Sequence, residues 1–199
     1  MRRISGALLL AMAVLALALG LAAPASAERV QIDVDGDGVV DTVTAQAVGD
    51  YGVGVSVELS GSGGASSEQQ FENAFVYEPW LWRVRDVDGR AGAELFVHTG
   101  HISTNETVTV LSVVDGRLVR SGRLIMNGGL GDYYAMGFRC RAVRGGPGIV
   151  AYDFARQSPG HWKRRARSYS WKDGRLVRVG PARHSVVRHP PLRERELGC

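Results

Sequence analysis

The sequence lacks the motifs of the most familiar enzyme classes. It contains no Gly-x-Ser-x-Gly nucleophile motif, no His-Glu-x-x-His zinc motif and no glycine-rich loop that would cradle a phosphate. Outside the first 27 residues it also lacks a useful helical period and any apolar run that approaches membrane-spanning length. Its two cysteines, Cys140 and Cys199, are too far apart in sequence to form a redox motif. What remains is a chain rich in β-branched residues, glycine and turns, with no recognisable nucleophile.

The first 27 residues have the features of a secretory signal peptide. Arg2 and Arg3 form a positive start, residues 7–23 are apolar or glycine, and Ala25-Ser26-Ala27 resembles a cleavage site. The apolar run is long for a signal and short for a membrane span, so an uncleaved anchor is the alternative. We expect a secreted or cell-envelope-associated protein that begins at Glu28 and has no transmembrane span after cleavage.

Residues 28–199 suffice for one domain with its own core. The formal net charge is +4, and Arg2 and Arg3 supply half of it, so the high isoelectric point does not indicate a nucleic-acid partner. In an oxidising compartment, a disulfide between Cys140 and Cys199 would hold the C-terminal tail on the domain. The alternatives are two unpaired thiols, or a Cys199 that pairs between molecules.

The sharpest chemical feature is an acidic loop at residues 33–41. Carboxylates occupy its first, third, fifth and ninth positions, and a glycine at the sixth position permits a sharp turn. Alternate side chains of such a loop converge, as a hard cation with oxygen ligands requires. Without a cation, the four carboxylates would repel one another. The predicted ligands are the side chains of Asp33, Asp35, Asp37 and Asp41 and the main-chain carbonyl of Val39.

The expected ion is Ca²⁺, because several carboxylates and a carbonyl suit its large, flexible coordination shell better than that of Mg²⁺. An EF-hand is excluded for two reasons. The twelfth residue of this loop is Thr44, where an EF-hand requires Glu, and the flanking residues alternate between apolar and polar as in β-strands. We expect a structural role and weak affinity, with a dissociation constant of roughly 0.1–1 mM. The alternative is an Asp- and Gly-rich turn that binds no ion.

The pattern Asp-x-Asp-Gly-Asp-Gly-x-x-Asp running into a β-strand resembles the FG-GAP or VCBS-type repeat. That family supplies the calcium loops of integrin α-subunit propellers and of many secreted bacterial proteins. The resemblance implies that the four aspartates and the Val39 carbonyl hold calcium. It says little about activity, because such repeats occur in adhesins and in enzymes.

Two degraded copies of the loop follow. Residues 84–97 repeat it 53 residues later, with Arg90 in place of the third acid and Ala91 in place of the sixth-position glycine. A second calcium is therefore not expected there, and the Arg90 guanidinium could pair with the neighbouring acids instead. Three acids remain in this second loop, namely Asp86, Asp88 and Glu94. Residues 144–152 keep only the glycine-then-strand shape, without a carboxylate in the loop.

Repeated turns support the same period. The sequence Asp-Gly-Arg-Leu-Val-Arg occurs at 115–120 and again at 173–178, and Asp-Gly between β-branched runs predicts two hairpins. We therefore predict an all-β domain of three degenerate, blade-like antiparallel repeats. The units would span about 29–80, 81–136 and 137–180, followed by an irregular tail at 181–199. Three units argue against a full closed propeller. A compact β-sandwich and a ring completed by association remain alternatives.

The other chemically notable residues are weaker candidates. His98 and His101 suggest zinc, but no third ligand accompanies them, so we interpret them as loop histidines. The basic run at 163–167 could contact an anionic polymer, although such runs are usually a solvated hairpin face. The four tryptophans lie in strand-like segments and are expected in the core, namely Trp80, Trp82, Trp162 and Trp171.

These features predict a calcium-stabilised module that binds an extracellular or cell-envelope partner without catalysing a reaction. The first alternative is an extracellular hydrolase in which calcium is purely structural. The second is a small inhibitor or accessory protein that acts through its loops at 98–106 and 127–134.

Overall fold

The computed structural model describes residues 27–61, 64–72, 80–102, 105–127, 134–188 and 199. The predicted signal peptide, apart from Ala27, lies outside the described residues. Within the described residues, no helix is long and apolar enough to cross a membrane.

The predicted all-β fold is confirmed. The described residues form thirteen strands in three antiparallel sheets, and none of the sheets closes into a barrel. The first sheet contains β1 (Ala27–Ile32), β2 (Asp41–Val48), β3 (Gly52–Glu58) and β4 (Ser66–Phe71). The second contains β5 (Leu81–Arg85), β6 (Glu94–Ile102), β7 (Asn105–Val114) and β8 (Arg117–Asn127). The third contains β9 (Tyr134–Cys140), β10 (Gly148–Ser158), β11 (His161–Lys172), β12 (Arg175–Arg178) and β13 (Arg183–Val187).

Each sheet is a meander in which successive strands are neighbours, except that β13 pairs with β11 instead of β12. In each unit the loop lies between the first and second strands. Both predicted hairpins form around Asp-Gly turns, at 115–116 between β7 and β8 and at 173–174 between β11 and β12. In both turns the two central residues have positive φ, the pattern of a type I′ turn.

The prediction of an irregular tail from residue 181 is wrong for residues 183–187. These residues form β13, which pairs with the first half of β11, whereas β12 pairs with the second half. Strands β12 and β13 thus act as one fourth strand, interrupted at Gly180 and Pro181. Gly180 has a φ of 71° and Pro181 has no amide hydrogen, so the ladder cannot continue through them. The third unit is therefore four-stranded in the same sense as the first two.

The three sheets are stacked, with one apolar cluster on each side of the middle sheet. Val43, Val55 and Leu95 belong to the cluster between the first and second sheets. Phe96 and Phe138 belong to the cluster between the second and third sheets, where their rings stack with centroids 6.0 Å apart. A third cluster covers the outer face of the third sheet. The expected packing of the tryptophans is confirmed: Trp80 joins the first cluster, Trp82 and Trp171 the second, and Trp162 the third.

The predicted disulfide is confirmed. Cys140 ends β9 and is joined to Cys199, with their Cα atoms 4.8 Å apart. Cys199 is buried in the cluster between the second and third sheets, and its carbonyl accepts a hydrogen bond from Arg85. The bond therefore holds the last residue of the chain inside the domain.

Candidate metal centre

The loops between the first and second strands of the three units lie next to one another. We call residues 33–40, 86–93 and 141–147 the loop row. A Cβ atom added to Gly36 would lie 2.4 Å from the carbonyl carbon of Ala91, so the first loop touches the second. A Cβ added to Gly89 would lie 2.6 Å from Cγ of Pro147, so the second loop touches the third. The stacking of the sheets thus places the two acidic loops, 33–40 and 86–93, in one row with the third loop, 141–147.

Three of the four predicted acids come together in the first loop. Oxygen atoms of Asp33, Asp35 and Asp37 lie within 4.8 Å of one another. Each carboxylate is held by backbone amides of its own loop. The two oxygens of Asp33 accept from the amides of Gly36 and Gly38, at 2.6 and 2.9 Å. Asp35 accepts from the Asp37 amide at 3.2 Å, and Asp37 accepts from the Val39 amide at 2.7 Å.

The structure places Asp41 apart from the other three acids. Its side chain is fully buried, and its two oxygens accept separate hydrogen bonds from the amides of Val34 and Ser60, at 3.0 and 2.9 Å. It therefore ties the acidic loop to the connection after β3, and it is not a member of the three-carboxylate cluster. Whether Asp41 and the Val39 carbonyl also contribute to a calcium shell stays a prediction.

The second loop repeats the same hydrogen-bond scaffold at an offset of 53 residues. Asp86 accepts from the Gly89 amide at 3.1 Å, as Asp33 does from Gly36. Asp88 accepts from the Arg90 amide at 2.7 Å, as Asp35 does from Asp37. Glu94 takes the place of Asp41 and accepts from the Val87 amide at 2.8 Å. The second loop therefore has the same hydrogen-bonded conformation as the first, although Arg90 replaces one of its acids.

The acids of the second loop also converge. Oxygens of Asp86, Asp88 and Glu94 lie within 4.8 Å of one another. The Arg90 guanidinium is expected to take the place of the ion, but it pairs only weakly with the acids. Its Nε lies 4.0 Å from Asp88, and its side chain is 60% exposed. That this loop takes no second calcium stays a prediction.

Glu94 is the acid of this loop whose pKa is raised. Burial is the main cause that raises its pKa from 4.5 to about 7. The negative charges of Asp88 and Asp86 act in the same direction, whereas the hydrogen bonds from the amides of Val87 and Asp88 oppose the shift. In the absence of a cation, part of the Glu94 population is therefore protonated near neutral pH.

The contact between the first two loops can be tested with a matched pair of glycine variants. Gly36 and Gly38 have φ angles of 81° and 85°, but a Cβ on Gly38 meets no atom within 4 Å, whereas one on Gly36 collides with Ala91. We expect Gly38→Ala to lower the free energy of unfolding by about 1 kcal/mol from backbone strain alone, and Gly36→Ala by about 2 kcal/mol or more. Urea unfolding in a chelating buffer measures both. Equal losses would show that the loops do not touch.

The histidine pair does not form a metal site among the described residues. The two histidines lie in β6, so the expectation of loop histidines is wrong. His98 is held by packing near Trp82 and by Glu106, whose Oε2 lies 3.5 Å from its Nε2. No group of three metal-binding side chains in the described part of the chain includes a histidine.

The basic run at 163–167 does not form one surface, because it lies in β11 and its side chains alternate between the two faces. On one face, Arg164 donates to the Ser185 hydroxyl at 3.0 Å. On the other, Arg167 donates to Asp153 at 2.5 Å.

Comparisons with protein-family models, with curated proteins and with solved structures found no match to this chain.

Proposed function

We propose that this protein is a secreted, calcium-stabilised β-repeat module of the FG-GAP or VCBS type, and that it binds an extracellular or cell-envelope partner without catalysing a reaction. The observation that carries the proposal is the convergence of Asp33, Asp35 and Asp37 in the first loop. The three-unit architecture, with an equivalent loop in each unit, supports the resemblance to that family.

The donor set suits calcium. Three carboxylates offer hard oxygen ligands, and each oxygen that accepts an amide hydrogen keeps a further lone pair for an ion. The amide hydrogen bonds hold the carboxylates in place before the ion arrives. A divalent cation would neutralise the repulsion among them. Because Gly36 contacts Ala91, an ordered first loop would also fix the position of the second.

Binding is favoured over hydrolysis by the character of a cavity that the described residues line. That cavity lies on the third sheet, and its described lining residues include no Asp, Glu or His that could act as a general acid or base. Within the described residues, the groups of three acids lie instead in the first and second loops, where they accept hydrogen bonds from backbone amides.

The calcium proposal is tested by NMR titration of the protein beginning at Glu28. We expect calcium to shift the amide resonances of Gly36 and Gly38 with a dissociation constant of roughly 0.1–1 mM. Asp35→Asn removes a carboxylate from the first cluster and should abolish the shifts. The matched variant Asp88→Asn changes the equivalent position of the second loop and should leave them intact. The proposal fails if calcium produces no shifts, or if only Asp88→Asn abolishes them.

A further inference from the structure

A second site lies on the third sheet, on the face turned away from the second sheet. A cavity of about 370 Å³ opens there, within the size range of small-molecule sites. Val150, Tyr152 and Ala166 provide an apolar floor. Four arginines complete its lining from three different segments, namely Arg141, Arg144, Arg164 and Arg183.

Strand register explains why these side chains share one face. Residues paired across an antiparallel ladder point to the same side of the sheet. Phe154 pairs with Arg164, and Ala166 pairs with both Tyr152 and Arg183. Arg164 also lies over the Tyr152 ring, with its guanidinium 6.0 Å from the ring centroid. The aromatic floor and the charged rim are therefore parts of one surface.

The charge of the chain is strongly segregated between its sheets. Residues 134–188 contain thirteen Arg and Lys against two Asp, a net charge of +11. Residues 27–127 contain seven Arg against fifteen Asp and Glu, a net charge of −8. The four cavity arginines form no ion pair with an acid of the described segments. Guanidinium groups that no acid of the described segments neutralises favour an anion in the cavity that they line.

The backbone at Arg144 is a second and independent observation. Residues 144–145 form a two-residue turn closed by hydrogen bonds between Val143 and Gly146, and Arg144 has a φ of 53°. The other two non-glycine residues with positive φ in the described chain are Asp115 and Asp173, in turns of the same kind. Aspartate and asparagine tolerate this conformation, whereas arginine has no local hydrogen bond that favours it. Strain at a position facing a cavity is typical of a functional constraint.

We propose that this cavity binds a small molecule with at least two anionic groups, phosphate or carboxylate. Guanidinium forks bind either group through paired hydrogen bonds. The Tyr152 ring and its aliphatic neighbours accept the carbon framework of the ligand. This site does not depend on the acidic loop, so it stands whether or not the first loop binds calcium.

The test measures the binding of two probes by isothermal titration calorimetry. Pyrophosphate represents phosphate ligands and citrate represents carboxylate ligands, and the buffer contains no divalent cation because both probes chelate calcium. We expect at least one probe to bind, and Arg144→Asn to weaken its affinity about tenfold or more. Because asparagine tolerates the backbone conformation of this turn, the unfolding midpoint of the variant should be equal to or higher than that of the native protein. Arg165→Gln removes an exposed charge from the opposite face of β11 and is the matched control, with no expected effect.

Binding of pyrophosphate alone supports a phosphate ligand, and binding of citrate alone supports a carboxylate ligand. The proposal is overturned if neither probe binds at 10 mM, or if Arg144→Asn binds as well as the native protein. It is also overturned if Arg165→Gln weakens binding as much as Arg144→Asn, because the attraction would then be a general property of the basic sheet.

Discussion

Replacing Cys140 and Cys199 together by alanine is expected to lower the free energy of unfolding by about 4 kcal/mol. The disulfide joins residues 59 positions apart, and a loop of that length removes about 4 kcal/mol of conformational entropy from the unfolded chain. Cys199 is also buried between the second and third sheets, where its carbonyl accepts from Arg85. Without the bond, the end of the chain would have only these non-covalent contacts to hold it. Urea unfolding of native and variant protein under non-reducing conditions measures the difference.

Two further samples distinguish the effect of losing the disulfide bond from the effect of replacing the cysteine side chains. The native protein measured with reductant should lose nearly as much stability as the double variant. The double variant itself should be insensitive to reductant. A loss below about 1 kcal/mol in the double variant would contradict the account, because the tail would then contribute almost nothing to the core.

The substitution Glu94→Gln is expected to stabilise the calcium-free protein at pH 8 by up to about 3 kcal/mol, and to have little effect at pH 4. The pKa of Glu94 is about 7 in the folded protein against 4.5 for the free side chain, so folding favours the protonated form. The cost of burying its charge is therefore absent below pH 4.5, grows as the pH rises from 4.5 to 7, and is complete above that. Glutamine removes the charge and keeps an oxygen that can accept from the Val87 amide.

The matched control is Asp41→Asn, at the equivalent position of the first loop. Asp41 uses two oxygens for the amides of Val34 and Ser60, and asparagine offers only one. We expect this variant to lose about 1–3 kcal/mol, the cost of leaving a buried amide unpaired. Urea unfolding at pH 4 and pH 8 in chelating buffer measures both variants. A Glu94→Gln effect that is equal at the two pH values would rule out charge burial as its cause.

Much of the fold could be predicted because the relevant signals are local. Asp-Gly between β-branched runs specifies a hairpin without reference to the rest of the chain. The alternating residues around the acidic loop predict strands for the same reason, and the structure has β1 and β2 there. Strand β13 was missed because its pairing is not local. It continues the edge strand of the third sheet beyond the interruption at Gly180 and Pro181. A strand of only five residues after such an interruption has no sequence pattern that would identify it.

The placement of the acids could be predicted only in part, because residue type does not specify the direction of a side chain. Four acids at positions one, three, five and nine suggest four ligands, and the structure shows in addition that Asp41 accepts from two backbone amides. Glu94 does the same in the second loop, where the sequence suggested only a degraded ligand. The arginine-lined cavity was missed because the overall charge is small. Counting charges along the chain in segments would have shown the basic third unit, although only the fold brings Arg144 and Arg183 to one cavity.

The measurement that tests the central claim most directly is thermal unfolding of the protein beginning at Glu28, in chelator and then in 10 mM calcium. With a dissociation constant of roughly 0.1–1 mM, calcium should add about 1.5–2.5 kcal/mol of stability, which corresponds to a rise of roughly 5 °C in the unfolding midpoint. Asp35→Asn should abolish the rise, and Asp88→Asn should preserve it. No rise in the native protein, or an equal rise in Asp35→Asn, would contradict the account and leave the first loop an acidic turn without an ion.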